Sequence, residues 1–122
     1  MKEFFHYLEK GADALGLNLS PDQAGLLAAH ARELMHWNAK MNLTAITDIR
    51  LMAYKHFVDA LAAASFLERP ARVMDIGSGA GFPAVPMKVI CPDLDIKMLL
   101  QIVINIIEIF INTLFPGIFH FC

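Results

Sequence analysis

The sequence predicts an α/β chain in which a small helical cap is followed by a βαβ unit. Two observations predict it. Apolar residues recur at helical spacing through residues 1–68, and the pattern then changes to a short apolar run, Arg72–Ile76, that leads into a glycine-rich turn. The chain has 122 residues, the length of one compact domain. We therefore expect residues 1–68 to form the cap and residues 69–122 to form the sheet region.

Two helices are predicted in the first third of the chain. The first covers residues 3–15, where apolar residues stand three and four apart and Gly16 offers a C-terminal stop. The second begins at Ser20, because serine can cap a helix, a proline follows at the first helical position, and Gln23 stands where a capping-box partner reaches back. Its apolar face predicts an end at about residues 38–40.

A third helix is predicted after a polar loop. Thr47 or Asp48 can cap it, and its apolar residues continue to Phe66. Pro70 then ends the helical pattern. The run Arg72–Ile76 predicts a short buried strand.

The segment after the glycine-rich turn predicts the rest of the βαβ unit. Residues 82–89 predict the returning helix, in which Pro83 and Pro86 are tolerated because both fall in the first turn. Cys91 and the proline after it close this helix, and residues 95–100 predict a second strand. The two strands should be parallel, with a right-handed crossover.

The composition excludes several kinds of site. Ten Lys and Arg against twelve Asp and Glu give a net charge of −2, so nucleic-acid binding would depend on local groups. Cys91 and Cys122 are the two cysteines, and their spacing predicts neither a disulfide framework nor a metal site. The first ten residues lack the apolar core of a secretory signal. We expect a cytoplasmic protein without a metal.

The turn from Asp75 to Phe82 predicts a binding site for a small anionic or zwitterionic molecule. Gly77, Gly79 and Gly81 alternate, which lets the backbone adopt positive φ and come close to a ligand. The helix that follows should point unpaired N–H groups at a carboxylate or phosphate. Asp75, at the end of the strand, can accept hydrogen bonds from an ammonium group. A zwitterion such as the amino-acid end of S-adenosylmethionine matches both the N–H groups and the carboxylate.

Two other interpretations of the turn remain open. Glycine-rich turns after strands are common in purely structural roles. Read two residues later, Gly79, Gly81 and Ala84 also match the G-x-G-x-x-G/A pattern of dinucleotide-binding proteins. Both S-adenosylmethionine and a dinucleotide are usually held at the ribose by an acidic residue near the end of the second strand. Gln101 stands at that position in this chain.

The segments WNAKMNLTAI, KHFVDAL and DIGSGAGFPAVPMKVICPDLDIKMLL resemble the family of methyltransferases that modify guanine N7 in small-subunit ribosomal RNA. The resemblance covers residue 1 to about residue 100. It implies a Rossmann-like class I methyltransferase fold, S-adenosylmethionine as cofactor and 16S ribosomal RNA as partner. By this resemblance Gly77 and Phe82 contact the cofactor, Gly79 and Gly81 shape the loop, and Asp75 anchors the methionine end. The full expected cofactor site is Asp75, Gly77, Ser78, Gly79, Ala80, Gly81, Phe82 and Gln101.

No catalytic acid, base or nucleophile is assigned. Guanine N7 already holds a free lone pair, so positioning would supply most of the rate. We expect Trp37 to be a core residue, and Asn38 and Asn42 to be turn or cap residues. His56 and Asp59 lie three apart on one helix face, and we expect a structural contact from them.

The chain departs from the family after Leu100, where QIVINIIEIFINTLFPGIFHFC replaces the family's basic helix. We therefore expect a fold truncated before its sheet is complete, from a shifted or spliced reading frame, with an atypical apolar tail from about residue 101. A membrane span is not expected, because Gln101, Glu108 and Pro116 interrupt the tail. We expect instead a buried strand followed by a helix, or an aggregation-prone end. The rival functions are a dinucleotide-dependent oxidoreductase fragment and a non-catalytic remnant or interaction module with a membrane-prone tail.

Overall fold

A computed structural model describes residues 1–99, 116 and 120–121 of the chain. Five α-helices, one π-helical segment and three strands occur in this part. In chain order they are α1 (Lys2–Ala14), α2 (Pro21–Met41), α3 (Ile49–Met52), a π-helical segment (Ala53–Val58), α4 (Asp59–Ser65), β1 (Arg72–Ile76), α5 (Ala84–Ile90), β2 (Asp95–Leu99) and β3 (His120–Phe121).

The first two helices begin and end as the sequence predicts. Gly16 follows α1 with a φ of 71°. At the start of α2 the Gln23 N–H donates to the Ser20 hydroxyl at 3.2 Å, and the Ser20 N–H donates to the Gln23 side-chain oxygen at 3.0 Å. This reciprocal pair is the predicted capping box. Helix α2 ends at Met41, and Asn42 follows in the left-handed conformation with a φ of 50°.

The third predicted helix is interrupted by a π-helical segment. Asp48 caps it through a hydrogen bond from the Leu51 N–H at 2.9 Å, and its regular turns end at Ser65. Between α3 and α4 the Ala53–Val58 segment has the wider π-helical turn. This segment carries the buried Phe57, whose ring meets that of Phe4 edge to face at 4.9 Å. Apolar spacing alone did not indicate the widened turn.

The cap has its own apolar core, which continues onto α5 and β2. The three predicted apolar faces all point into it. The largest fully buried side chains that the cap contributes to this core are Phe4, Leu8, Leu27, Met52, Phe57 and Leu61.

The strands form a parallel sheet with the order β1, β2, β3. Arg72 pairs with Asp95 and Ile76 pairs with Leu99, so β1 and β2 are aligned along their whole length. The short β3 continues the sheet beside β2, where Lys97 pairs with His120. Both predicted strands and the helix between them are confirmed, with β2 ending at Leu99, the last residue described before the tail.

The prediction that β1 is buried is wrong. Asp75 is its one buried residue, and the side chains of Met74 and Ile76 are 62% and 72% exposed. Helix α5 lies on the face that carries Asp75, whereas the described residues include no helix on the opposite face. Apolar composition was therefore a poor guide to burial in this strand.

The tail is largely outside the described residues. Gln101 and Glu108 lie outside them, and so does the predicted buried strand followed by a helix. Beyond Leu99 the described residues are Pro116 and the two-residue β3. No helix in the described part is long and apolar enough to cross a membrane.

Candidate functional site

The turn between β1 and α5 has the backbone conformation that its glycines predict. The φ angles of Gly77, Gly79 and Gly81 are 76°, 50° and 87°. Most side chains with a Cβ are strained at such angles, so this backbone path favours glycine. We call residues 77–82 the glycine loop.

Hydrogen bonds hold the glycine loop at both ends. The Gly77 N–H donates to the Leu99 carbonyl at 2.9 Å, which ties the loop to the end of β2. The Gly81 and Phe82 N–H groups both donate to the Ser78 carbonyl, at 2.8 and 3.0 Å. The Ser78 hydroxyl donates to the main-chain carbonyl of Asp75 at 3.3 Å. The loop is therefore shaped before any ligand binds.

The outer side of the glycine loop is open. A Cβ built on Gly77 meets no other atom within 4 Å, and one built on Gly79 meets only the Gly77 carbonyl oxygen, at 3.9 Å. Within the described part of the chain, the N–H groups of Gly79 and Ala80 donate to no protein acceptor. These features leave room and hydrogen-bond donors for a carboxylate against the loop backbone.

Asp75 lies behind the loop and is 8% exposed. Its Oδ2 accepts a hydrogen bond from the Ala84 N–H at 3.3 Å. Burial raises the pKa of this carboxyl above its ordinary value, and the Ala84 hydrogen bond and the nearby Ser78 hydroxyl act in the opposite direction. The carboxyl therefore fixes the start of α5, whatever it does toward a ligand.

The expectation that α5 offers unpaired N–H groups to an anion is wrong. The Ala84 N–H is used by Asp75 and the Val85 N–H by the Gly81 carbonyl at 2.9 Å. Pro83 and Pro86 have no N–H to offer. The donors that remain for a ligand belong to the loop itself.

Sequence reasoning missed His30, which joins the cap to the glycine loop. Its side chain is fully buried, and its Nε2–H donates to the Ala80 carbonyl at 2.7 Å. A sign was present in the sequence, because His30 falls on the side of α2 that carries Leu27 and Leu34, where a polar residue needs a partner.

Phe82 stacks with two histidine rings. His30 stacks on it with a centroid distance of 4.5 Å and an interplanar angle of 16°, and His56 stacks with values of 4.9 Å and 26°. Phe57 meets it edge to face at 4.9 Å. The last residue of the glycine loop is therefore packed against three aromatic rings of the cap. Contact of Phe82 with a cofactor stays a prediction.

Both histidines beside Phe82 have lowered pKa values. Burial lowers the pKa of His30 to about 4, with a smaller lowering from the charge of His56 and a partial offset from the Ala80 hydrogen bond. Burial also lowers the pKa of His56, and the charge of Asp59 opposes this effect. Burial thus favours the neutral form of both imidazoles beside Phe82.

The structural roles expected for most of the polar residues are confirmed. The side chains of His56 and Thr44 form a hydrogen bond, with the His56 Nε2 and the Thr44 Oγ1 2.9 Å apart. The Asn38 side-chain oxygen accepts from the Thr44 N–H at 2.7 Å. Asn42 is the left-handed C-cap of α2. Asp59 is exposed and acts on His56 through its charge.

Trp37 is not the core residue that we expected. It is partly exposed, and the Lys40 ammonium lies 4.7 Å from the centroid of its ring. The reason is its position near the C-terminal end of α2, after Leu34, the last buried residue of that helix. The described residues contain no group of His, Cys, Asp and Glu side chains that could hold a metal ion.

Comparisons with known proteins agree on one family. The family model for rRNA small subunit methyltransferase G matches residues 23–103. The chain is similar to ribosomal RNA small subunit methyltransferase G of Geobacter sp. (strain M21), with 48% identity over 72% of this chain and 41% of that protein. The corresponding protein of Geotalea uraniireducens is 46% identical over 73% of this chain and 41% of its own length, and that of Acetivibrio thermocellus is 39% identical over 75% and 38%. The chain thus spans about two fifths of the length of these relatives.

Proposed function

Because the chain belongs to the rRNA small subunit methyltransferase G family, we propose that it serves S-adenosylmethionine-dependent methylation of guanine N7 in 16S ribosomal RNA. The expected setting is the cytoplasm. In this proposal residues 1–68 form a cap on an S-adenosylmethionine-binding region, residues 69–122, with the start of a Rossmann-like class I methyltransferase fold.

One observation carries the proposal. The backbone at Gly77 and Gly79 has positive φ and open space outside it, directly after a parallel strand whose second-last residue is Asp75. In open α/β sheets, ligands bind outside the carboxyl ends of the strands, and the glycine loop lies at that end of β1. The loop therefore suits a small ligand with a carboxylate and an ammonium group.

Each part of the loop has a distinct proposed role. The Gly79 and Ala80 N–H groups would hold the cofactor's carboxylate, and Asp75 would favour its ammonium group by charge. Ser78 and Gly81 hold the turn through their mutual hydrogen bond, and Phe82 fixes it to the cap. Gln101, in the sequence just past β2, would take the ribose hydroxyls as a neutral donor and acceptor.

The proposed reaction requires the chain to position the methyl donor and the guanine relative to each other. S-adenosylmethionine supplies a methyl group already activated by its sulfonium. The N7 lone pair of guanine forms the new C–N bond as the C–S bond breaks, and the bonding electrons stay on sulfur. No proton has to leave N7, so the residues of the chain need only align the two reactants and exclude water.

Calorimetric titration with S-adenosylmethionine, with NAD as a second ligand, tests the proposal. We expect saturable binding of S-adenosylmethionine alone. The variant Gly79→Asn should lower its affinity at least about tenfold, because asparagine tolerates positive φ but fills the open space outside the loop. The matched control is Gly16→Asn, a position with a φ of 71° and no neighbour within 4 Å of a Cβ.

Each outcome of this titration decides between the functions. Binding of NAD alone would favour the oxidoreductase alternative. If a chain that is folded by circular dichroism binds neither ligand, the proposal is wrong and a non-catalytic remnant or interaction module remains.

A further inference from the structure

The last turns of α2, after Leu34, the last buried residue of that helix, carry an aromatic and basic group of side chains. The Lys40 ammonium lies 4.7 Å from the centroid of the Trp37 ring. It also lies 3.1 Å from the His36 Nε2, and the His36 and Trp37 rings meet edge to face at 5.4 Å. We call His36, Trp37 and Lys40 the Trp37 surface.

Of these three residues, Trp37 lies on the same side of α2 as His30, which contacts the glycine loop. Trp37 follows His30 by seven residues, close to two full helical turns, so the two side chains leave the helix in nearly the same direction. The separation along the helix axis is about 10 Å. His30 contacts Ala80 in the loop, so Trp37 lies about two helical turns along α2 from the contact between the cap and the loop.

We propose that the Trp37 surface binds an unpaired stretch of RNA, with the indole stacked on a base and the Lys40 ammonium on the neighbouring phosphate. The inference rests on the proposed function, and it identifies Trp37 as a positioning residue for the RNA. Aromatic side chains that stack on unstacked bases, flanked by cations, are the usual means of binding single-stranded RNA.

Charge and exposure favour RNA as the occupant of this surface. The chain as a whole is slightly acidic, so a phosphate needs a local cation, and Lys40 supplies one at the ring. A lysine on its flexible stem can leave the ring face for a phosphate when a base arrives. Glu33, one turn before Trp37, places a negative charge on the other side of the indole, so the phosphate should lie toward Lys40.

Trp37 is the one tryptophan of the chain, so its fluorescence reports on this surface alone. Titration with a short single-stranded RNA rich in guanine should quench the emission to saturation. Trp37→Ala, followed by the anisotropy of labelled RNA, should lower the affinity roughly 5- to 100-fold, the range expected for one stacked base. Trp37→Phe should retain part of the affinity, because it keeps a smaller stacking ring.

Charge variants test the phosphate contact separately. Lys40→Gln should weaken RNA binding and reduce the slope of its salt dependence by about one. Lys10→Gln, on the exposed side of α1, is the matched control and should change neither. Glu33→Gln should strengthen binding, because it removes the opposing charge.

Titration of each variant with S-adenosylmethionine separates this proposal from the proposed function. We expect Trp37→Ala to keep the cofactor affinity of the unchanged chain. If RNA binds with unchanged emission and Trp37→Ala binds it equally well, the surface assignment is wrong while the cofactor site stands. If a chain that binds S-adenosylmethionine binds no RNA, the assignment is also wrong. Loss of cofactor binding in the unchanged chain would instead contradict the proposed function.

Discussion

The Nε2 of His30 lies 2.7 Å from the carbonyl oxygen of Ala80, and this contact joins the second helix of the cap to the glycine loop. The same imidazole stacks on Phe82, two residues further along. The position of the loop therefore depends on a buried side chain that belongs to the cap. This dependence leads to the first two predictions.

Replacing His30 by phenylalanine should loosen the glycine loop while the ring stack is kept. The loss of the hydrogen bond to Ala80 should lower the free energy of unfolding by about 1–2 kcal/mol. The affinity for S-adenosylmethionine should fall several-fold, because the loop donors are no longer held in place. Chemical denaturation and calorimetry measure the two effects. His6→Gln, at an exposed position on α1, is the control. An unchanged cofactor affinity in His30→Phe would show that the loop holds its shape without the cap.

Acidification should destabilise the chain through His30. Its pKa is lowered to about 4 in the folded state, so between pH 6.5 and pH 4 the unfolded chain binds the proton and the folded chain does not. The stability contributed by neutral His30 is thus complete above pH 6.5 and is lost as the pH falls toward 4, by up to about 3 kcal/mol. His56, whose pKa is also lowered, acts in the same direction.

The difference between the unchanged chain and His30→Phe isolates this effect. Asp75 has a raised pKa, so its contribution to stability is present at low pH and lost as the pH rises, opposite to that of His30. It acts in both proteins and cancels in the comparison. We expect the free energy of unfolding of the variant to depend less on pH between 6.5 and 4. Parallel pH profiles for the two proteins would contradict the prediction.

The sequence predicts local features of this fold well and long-range features poorly. The capping box at Ser20, the stop at Gly16 and the positive φ of the loop glycines each depend on neighbouring residues. The partner of His30 lies 50 positions away, and no local pattern indicates it. The exposure of Ile76 was missed for a related reason, because burial of a strand depends on which elements cover its two faces. Expected contacts of the loop with a cofactor remain predictions.

Two glycines in helices should respond to alanine with opposite signs. Gly11 of α1 is buried, and an added Cβ would overlap the Val58 side chain, which is β-branched and stiff. Gly11→Ala should lower the free energy of unfolding by about 1–3 kcal/mol. Gly25 is exposed in α2 with no neighbour within 4 Å of a Cβ, so Gly25→Ala should raise it by about 0.5–1 kcal/mol. Thermal unfolding of both variants checks the pair. A stabilised Gly11→Ala would mean that α1 can move away from Val58 at little cost.

The sheet face that no described helix covers should make the chain self-associate. Met74, Ile76 and Leu99 are 62%, 72% and 43% exposed on one face, and β1 is the outer strand of the sheet in the part of the chain that the structure describes. Exposed apolar strands at a sheet edge invite pairing with other chains. Sedimentation velocity should show association that increases with concentration, and Met74→Thr combined with Ile76→Thr should reduce it. Threonine keeps a high strand propensity, so the fold should survive the change. Leu26→Gln, an exposed apolar position on α2, serves as the control and should leave association unchanged. A chain that stays monomeric at every concentration would show that this exposed apolar face does not drive association.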